Sequence, residues 1–375
     1  MRPSLPNFIK EAILNLLPGI LMVNVLLAQA LDSSSMTITA RSWASADSLF
    51  LGDHIWLGGD AASSIDIGDG RVLWLFGDSF IALDSTSSRR KSTMVRNTVA
   101  VQRGYDPSSA SIQFYRGLRN NTATDFFKES DDWDLWPRHG VRIGEHLLIV
   151  LARVQSVEEG LGFQEIGWTV AVVHNPGNEP PQWNLEFVST PPSPLDMTMV
   201  PATLLRSGEF LYAYMVGGPN PHPVYLARWP ANDAAAGILT SPQWWTGNLS
   251  RWKVADDSIA KPIRLFDGQT EFSVHYDSTT GKYIQIQTVG FGAADLAFRS
   301  ADSLQGTWSA LQRFYRPPEF GYPEVLIYSA RTHVEQQAAG LVVTYNVNSF
   351  DFGELVRNSN LYYPKALLVH IHKER

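Results

Sequence analysis

The residues best placed to do chemistry lie in the run from Gly58 to Asp78. Asp69-Gly70 is a strong hairpin signal, because an Asp-Gly pair tolerates the positive φ of a tight turn. Asp60 and Asp78 stand nine residues to either side of Asp69, so a fold-back centred there sets them opposite each other. Directly opposed side chains on antiparallel strands have Cβ atoms about 4.5–5.5 Å apart, and like charges there are destabilising. Two such carboxylates are the minimum equipment for cleaving a glycosidic bond. One protonates the leaving oxygen and the other acts as base or nucleophile. Crowding supplies both states, since repulsion raises one pKa and keeps that group protonated.

The elements that must carry this pair are strands. Helical periodicity is nearly absent after residue 40, and short apolar or alternating runs are bounded by Gly, Asn, Asp and Pro. One unit, a turn glycine followed by a branched and aromatic run, recurs at Gly70, Gly144, Gly208, Gly281 and Gly340, with spacings of 74, 64, 73 and 59 residues. Each copy is followed by a further strand: Thr98–Val101, Thr169–Val173, Val224–Ala227, Asp295–Phe298 and Lys365–Val369. Five four-stranded repeats with long loops predict an all-β, five-bladed β-propeller, with a β-sandwich as the competing architecture.

Counting ten residues back from each turn glycine reaches Asp60, Asp134, Thr198, Glu271 and Ala330. In a propeller these positions fall near the start of each innermost strand, at one mouth of the central channel. Asp60, Asp78 and Glu271 are therefore the catalytic candidates, with Asp134 beside them and Glu324 and Asp196 on the rim. The competing reading has these acids capping turns or holding a structural cation in the channel. Trp136, His139, Asn97, His333, Asn346, Asn348 and Tyr363 are candidates for binding substrate, His333 being read as the start of the fifth inner strand. Trp168 is a further stacking candidate, and Arg331 or Arg96 could pair with a carboxylate. No zinc, phosphate-loop, dinucleotide or nucleophile-elbow motif occurs, so no metal ligands and no cofactor are assigned.

Composition narrows the partners. Residues 1–30 read as a secretory leader: Arg2 and Lys10, an apolar run to Leu27, then Ala28-Gln29-Ala30. An uncleaved anchor is the alternative. Residues 31–375 are then one catalytic propeller, secreted, periplasmic or at the cell surface, with no membrane contact after the leader is removed. The chain has no cysteine, which excludes disulfides and thiolate chemistry. A net charge of −7 makes nucleic acid a poor partner. Twelve Trp and 13 Tyr suit sugar faces, although aromatic residues also fit any pleated sheet. A polysaccharide or oligosaccharide substrate and a monomeric state are the expectations.

Several segments together resemble a known group: Gly59–Ser64, Leu73–Phe80, Glu271–Val274 and Arg299–Trp308. They are similar to the secreted bacterial propellers long carried as a domain of unknown function that includes endo-D-arabinanases. More distantly they resemble the arabinanase, levansucrase and invertase propellers. The resemblance implies an active site at the channel mouth and catalysis by Asp60 and Asp78. It gives Asp60 the role of base, leaves Asp78 or Glu271 as the acid, and leans toward inversion. His333-Val334-Glu335 lacks a proline expected between the His and the Glu, and Lys365 stands where Arg is commoner. The implied activity is hydrolysis of furanosidic, arabinan-like linkages. A non-catalytic carbohydrate-binding propeller or a cell-surface interaction protein are the other readings.

Overall fold

The computed structural model describes residues 36–85, 88–219, 221–249, 251–254 and 261–373. The expected leader, residues 1–30, lies outside them. Ile38–His370 forms one large compact unit.

The large unit is a five-bladed β-propeller, and each blade grows from one of the repeated glycine hairpins. Blade one is Ser63–Gly68, Arg71–Phe76, Thr98–Arg103 and Ser111–Tyr115. Blade two is Asp134–Ile143, His146–Ser156, Phe163–Val173 and Leu185–Val188. Blade three is Met199–Ser207, Phe210–Gly217, Pro223–Pro230 and Gln243–Trp245, extended outward by Trp252–Val254. Blade four is Ser273–Asp277, Lys282–Val289, Asp295–Ala301 and Gln312–Tyr315. Blade five is Val325–His333, Leu341–Ser349 and Pro364–Lys373, with Met36–Ser42 as its outermost strand. The five first strands neighbour one another in a closed cycle, one to two through to five and back to one.

Local chemistry explains the hairpins. Gly70, Gly144, Gly208 and Gly281 have φ of 72°, 59°, 57° and 72°, the left-handed region that a side chain disfavours. Gly340 is different. A Cβ there would meet the Val369 carbonyl at 2.7 Å, so close approach of the backbone requires the glycine. The second strands are buried on both faces, as in Arg71–Phe76, because each blade packs between two others. The core therefore lies between blades: Ile65, Leu73, Leu147 and Ile149 between one and two, and Val150, Trp168, Leu211 and Trp229 between two and three. Closure joins early and late chain: the Trp43 N–H donates to the Ala366 carbonyl (2.8 Å), and the Ala366 N–H to Asp47 Oδ1 (2.6 Å). Radial repetition of this kind leaves only short, protected sheet edges.

Blade five departs from the sequence count. Its first hairpin pairs His333 with Val342, so residues 334–340 form a longer connection than in blade one. Counting ten back from Gly340 then lands at Ala330, inside the strand rather than at its start. His333 is the last residue of that strand, far from the end that bears the acids.

Candidate active site

Asp60 and Asp78 sit where two small sheets meet. In blade one Ser63 pairs with Leu75, and beyond the acids Gly59 pairs with Ser79 in a separate sheet of Trp56–Gly59, Ser79–Ala82 and Ser92–Val95. Both pairs are symmetric about Asp69, and between them Asp60 faces Gly77 and Asp78 across the two strands. The Asp60 N–H donates to the Asp78 carbonyl (3.3 Å), and the Gly77 N–H donates to the Asp60 carbonyl (2.9 Å). Each acid is thus pinned by strand on both sides. Gly77 is required here, since a Cβ would lie 2.5 Å from Asp60 Oδ1.

Two tyrosines from blade five hold Asp60. Tyr328 donates its hydroxyl to Asp60 Oδ2 at 2.5 Å, and Tyr362 adds a second hydrogen bond. The backbone is bent to achieve this: Ala61, Ser329 and Tyr362 have φ of 54°, 55° and 66°. The strand of Tyr328 carries a register shift between Tyr328 and Arg331 that re-aims the tyrosine. Non-glycine residues in this region store strain, and such strain concentrates at functional sites. Asn348 Nδ2 in turn reaches the Tyr328 hydroxyl at 3.4 Å.

The two carboxyls have different surroundings. Asp78 Oδ2 accepts from Arg96 Nη1 (2.9 Å) and Oδ1 accepts from Trp136 Nε1 (3.1 Å). Arg96 also pairs with Asp134 (3.1 Å), tying that acid to the pair. Burial and the neighbouring Asp78 charge push Asp60 up to about 8. Burial also raises Asp78, to about 6, with Arg96 and Trp136 opposing the rise. The two carboxyls therefore ionise in coupled steps, both raised by burial, with Arg96 and Trp136 favouring the anion of Asp78.

This has a measurable consequence for stability. Below the ordinary carboxylate range, Asp60 is protonated in both folded and unfolded chains. Between that range and pH 8 the native state keeps a proton that the unfolded chain releases, so stability falls as pH rises. Asp60→Asn removes this slope. Denaturation midpoints of the variant and the wild type are expected to be similar near pH 4, with the variant increasingly the more stable toward pH 8. A difference that stays constant over that range would show that Asp60 ionises normally.

Glu271 faces the same mouth from the start of blade four. Its Oε1 accepts from Arg138 Nη1 (2.8 Å), and Arg138 also pairs with Glu165 on the third strand of blade two. Arg138 belongs to blade two, so its side chain crosses the channel axis to reach Glu271. Arg331 crosses as well, from blade five to the Ala202 carbonyl of blade three (3.1 Å) and the Phe272 carbonyl (3.4 Å). The channel beneath the acids is thus spanned by two guanidiniums, which disfavour a cation there. Among the described residues, no cluster of three or more His, Cys, Asp or Glu could hold a metal.

Other residues singled out from the sequence have different placements. Asn97 is fully buried, and its amide holds the Phe127 and Leu135 carbonyls (3.1 and 2.8 Å) while accepting from the Phe127 N–H (2.6 Å). It is a structural staple, not a sugar ligand. His333 is locked between Ser64 Oγ (2.5 Å) and Thr344 Oγ1 (2.7 Å), against Trp74, at the far end of its strand. Asn346 is buried beneath Gly59, and Trp168 belongs to the core. His139 accepts from the Leu204 N–H (3.1 Å), and burial lowers its pKa to about 3, so it is neutral. Tyr363 packs on Arg89 and Trp56, while its neighbour Tyr362 is the residue that meets Asp60. Trp136 remains at the mouth beside Asp78, its ring edge-on to Phe163 at 4.6 Å. Glu324 is exposed and lines a cleft of about 460 Å³ with Tyr322, Asn348, Asp351 and Glu354; Asp196 is exposed. Tyr328, Tyr362, Arg138 and Glu165 were not singled out by the sequence, although Arg138 lies inside the run Trp136–His139.

The fold and this mouth define an all-β propeller with an acid pair of unequal proton affinity at one end of its channel. Residues 45–370 match DUF5005, a domain of unknown function, and the chain belongs to that family. No curated relative matches the sequence. Among solved structures, a Bacteroides ovatus protein provisionally described as a hydrolase is similar over 88% of this chain and 90% of its own, at 16% identity and a TM-score of 0.68. An exo-β-1,3-galactanase of Phanerochaete chrysosporium, solved with β-1,3-galactotriose, matches at 12% identity and a TM-score of 0.49, over 90% of this chain and 64% of its own. A GH62 α-L-arabinofuranosidase of Coprinopsis cinerea matches at 11% identity and a TM-score of 0.46, over 84% of this chain and 90% of its own. These are likenesses of fold alone.

Proposed function

We propose that this protein is a glycoside hydrolase acting on a furanoside-containing, arabinan-like polysaccharide or oligosaccharide. One observation carries the reading: two neighbouring buried carboxyls whose surroundings push their proton affinities apart. In this reading Asp60, which holds the proton, donates it to the leaving glycosidic oxygen. Asp78, favoured as an anion by Arg96 and Trp136, is the base that activates a water on the opposite face of the sugar. These roles reverse the Asp60-as-base expectation. Glu271 and Arg138 form the charged floor beneath them. Aromatic rings on the loops between second and third strands, at the same end of the blades as the acids, support a sugar ligand. They include the exposed pair Phe291 and Phe350, with centroids 5.7 Å apart. Residues 1–30 support a secreted, periplasmic or cell-surface location.

The carboxyl separation that decides the stereochemical outcome is about 5–5.5 Å in retaining enzymes and 6.5–9.5 Å in inverting ones. Inversion, to which the resemblance leans, is proposed. The test is a screen of the purified protein on arabinans, galactans and fructans, followed by proton NMR of the first-formed anomer. Release of the inverted anomer is expected. The retained anomer would make Asp78 a nucleophile instead of a base. Binding without turnover on every polymer would make the protein a carbohydrate-binding propeller.

A further inference from the structure

Arg331 is 1% exposed, yet its Nε and Nη2 have no hydrogen-bond partner among the described residues. Only Nη1 is satisfied, by the Ala202 and Phe272 carbonyls. No carboxylate lies within ion-pair distance of it in the described structure. Glu271, the acid whose charge acts on it, is already held by Arg138. An enclosed guanidinium with two idle N–H groups is costly, because buried donors are almost always paired and buried charges are balanced. Other unpartnered buried atoms lie on the inner strands around it: Arg138 Nε, Thr203 Oγ1 and Ser329 Oγ. Thr203 follows the residue whose carbonyl Arg331 grips, and Ser329 lies two residues before Arg331 on its own strand. These groups either must donate or can donate.

We propose that the propeller channel binds one small monovalent anion of the halide class, held by Nε and Nη2 of Arg331, with Arg138 Nε and Thr203 Oγ1 as further donors from the facing strands. An acceptor carrying negative charge satisfies the idle N–H groups, which belong to a guanidinium with no carboxylate in ion-pair contact. Arg331 is almost fully enclosed, which favours a small ion over a bulky oxyanion or a substrate carboxylate. The proposal is independent of the hydrolase reading, because it concerns the channel beneath the mouth and needs no sugar.

The test uses the whole protein in sodium bromide. Anomalous scattering from crystals grown in bromide should show a peak within hydrogen-bond reach of Arg331 Nε and Nη2. Thermal melting should rise by several degrees, and saturate, as chloride or bromide replaces gluconate at constant ionic strength, as expected for a ligand that binds only the native state. Arg331→Met should melt at the same temperature in both salts, and Thr203→Val should need more halide for the same rise. Absence of an anomalous peak at Arg331, or equal melting of the wild type in halide and gluconate, overturns the proposal and assigns water to these donors. If Arg331→Met does not fold, the wild-type bromide map decides alone.

Discussion

Asp60→Asn is expected to lower turnover by about 10²–10⁴-fold on whichever polymer the wild type cleaves, the range typical for loss of a general acid. Binding of the same polymer should change little. The substitution disturbs little else. The asparagine keeps the shape of the side chain and can still accept from Tyr328, whose hydroxyl lies 2.5 Å from Asp60 Oδ2. What it loses is the proton that burial and Asp78 keep on that carboxyl. A leaving group that needs little protonation should therefore be hydrolysed by the variant with a smaller loss than the natural polymer. Asp78→Ala should be equally damaging but respond differently. Azide added to that variant can take the place of the water that Asp78 no longer activates, giving a glycosyl azide of inverted configuration, whereas Asp60→Asn forms no such product from a poor leaving group. Wild-type turnover by both variants would remove the pair from the chemistry. Increased alkaline stability of Asp60→Asn together with lost turnover would link the stability cost of this site to its use.

What the sequence made legible follows from the range of the interactions involved. The first hairpin could be read because its register is set by two adjacent residues: Asp69 and Gly70 adopt φ of 57° and 72°, and the strands pair symmetrically about Asp69. The blade count followed from the same local chemistry repeated along the chain. Contacts that depend on ring closure were not legible. Tyr328 and Tyr362 reach Asp60 only because blade five returns to blade one, and nothing near either tyrosine in sequence signals that meeting. The choice of Tyr363 over Tyr362 failed because a left-handed residue at 362 breaks the strand alternation that would have decided which ring turns inward. His333 was misplaced for a simpler reason: the long connection after it shifts a count taken from Gly340. Asn97 has the right chemistry for a sugar ligand, but its amide is consumed by the loop from blade one to blade two. Residue type cannot distinguish these two uses, and only burial does.

Arg138→Met should lower the stability of the protein by about 3–5 kcal/mol at neutral pH, the usual cost of removing one partner from a buried ionic group. Arg138 is the shared counter-ion of Glu165 and Glu271, whose side chains are 22% and 12% exposed. Without it, two partly buried carboxylates are left without the cation that both contact. Methionine fills similar volume, so the loss reports charge rather than a cavity. A triple variant, Arg138→Met with Glu165→Gln and Glu271→Gln, removes all three charges and should recover most of the lost stability, because an uncharged set no longer carries the desolvation of unpaired ions. Chemical denaturation reads both outcomes. A loss that the triple variant does not recover would mean that Arg138 acts mainly through packing across the channel. The cross-channel ion pair is also what fixes Glu271 toward the acid pair. The single variant should therefore lose activity as well as stability, and the triple variant should recover its stability without its activity.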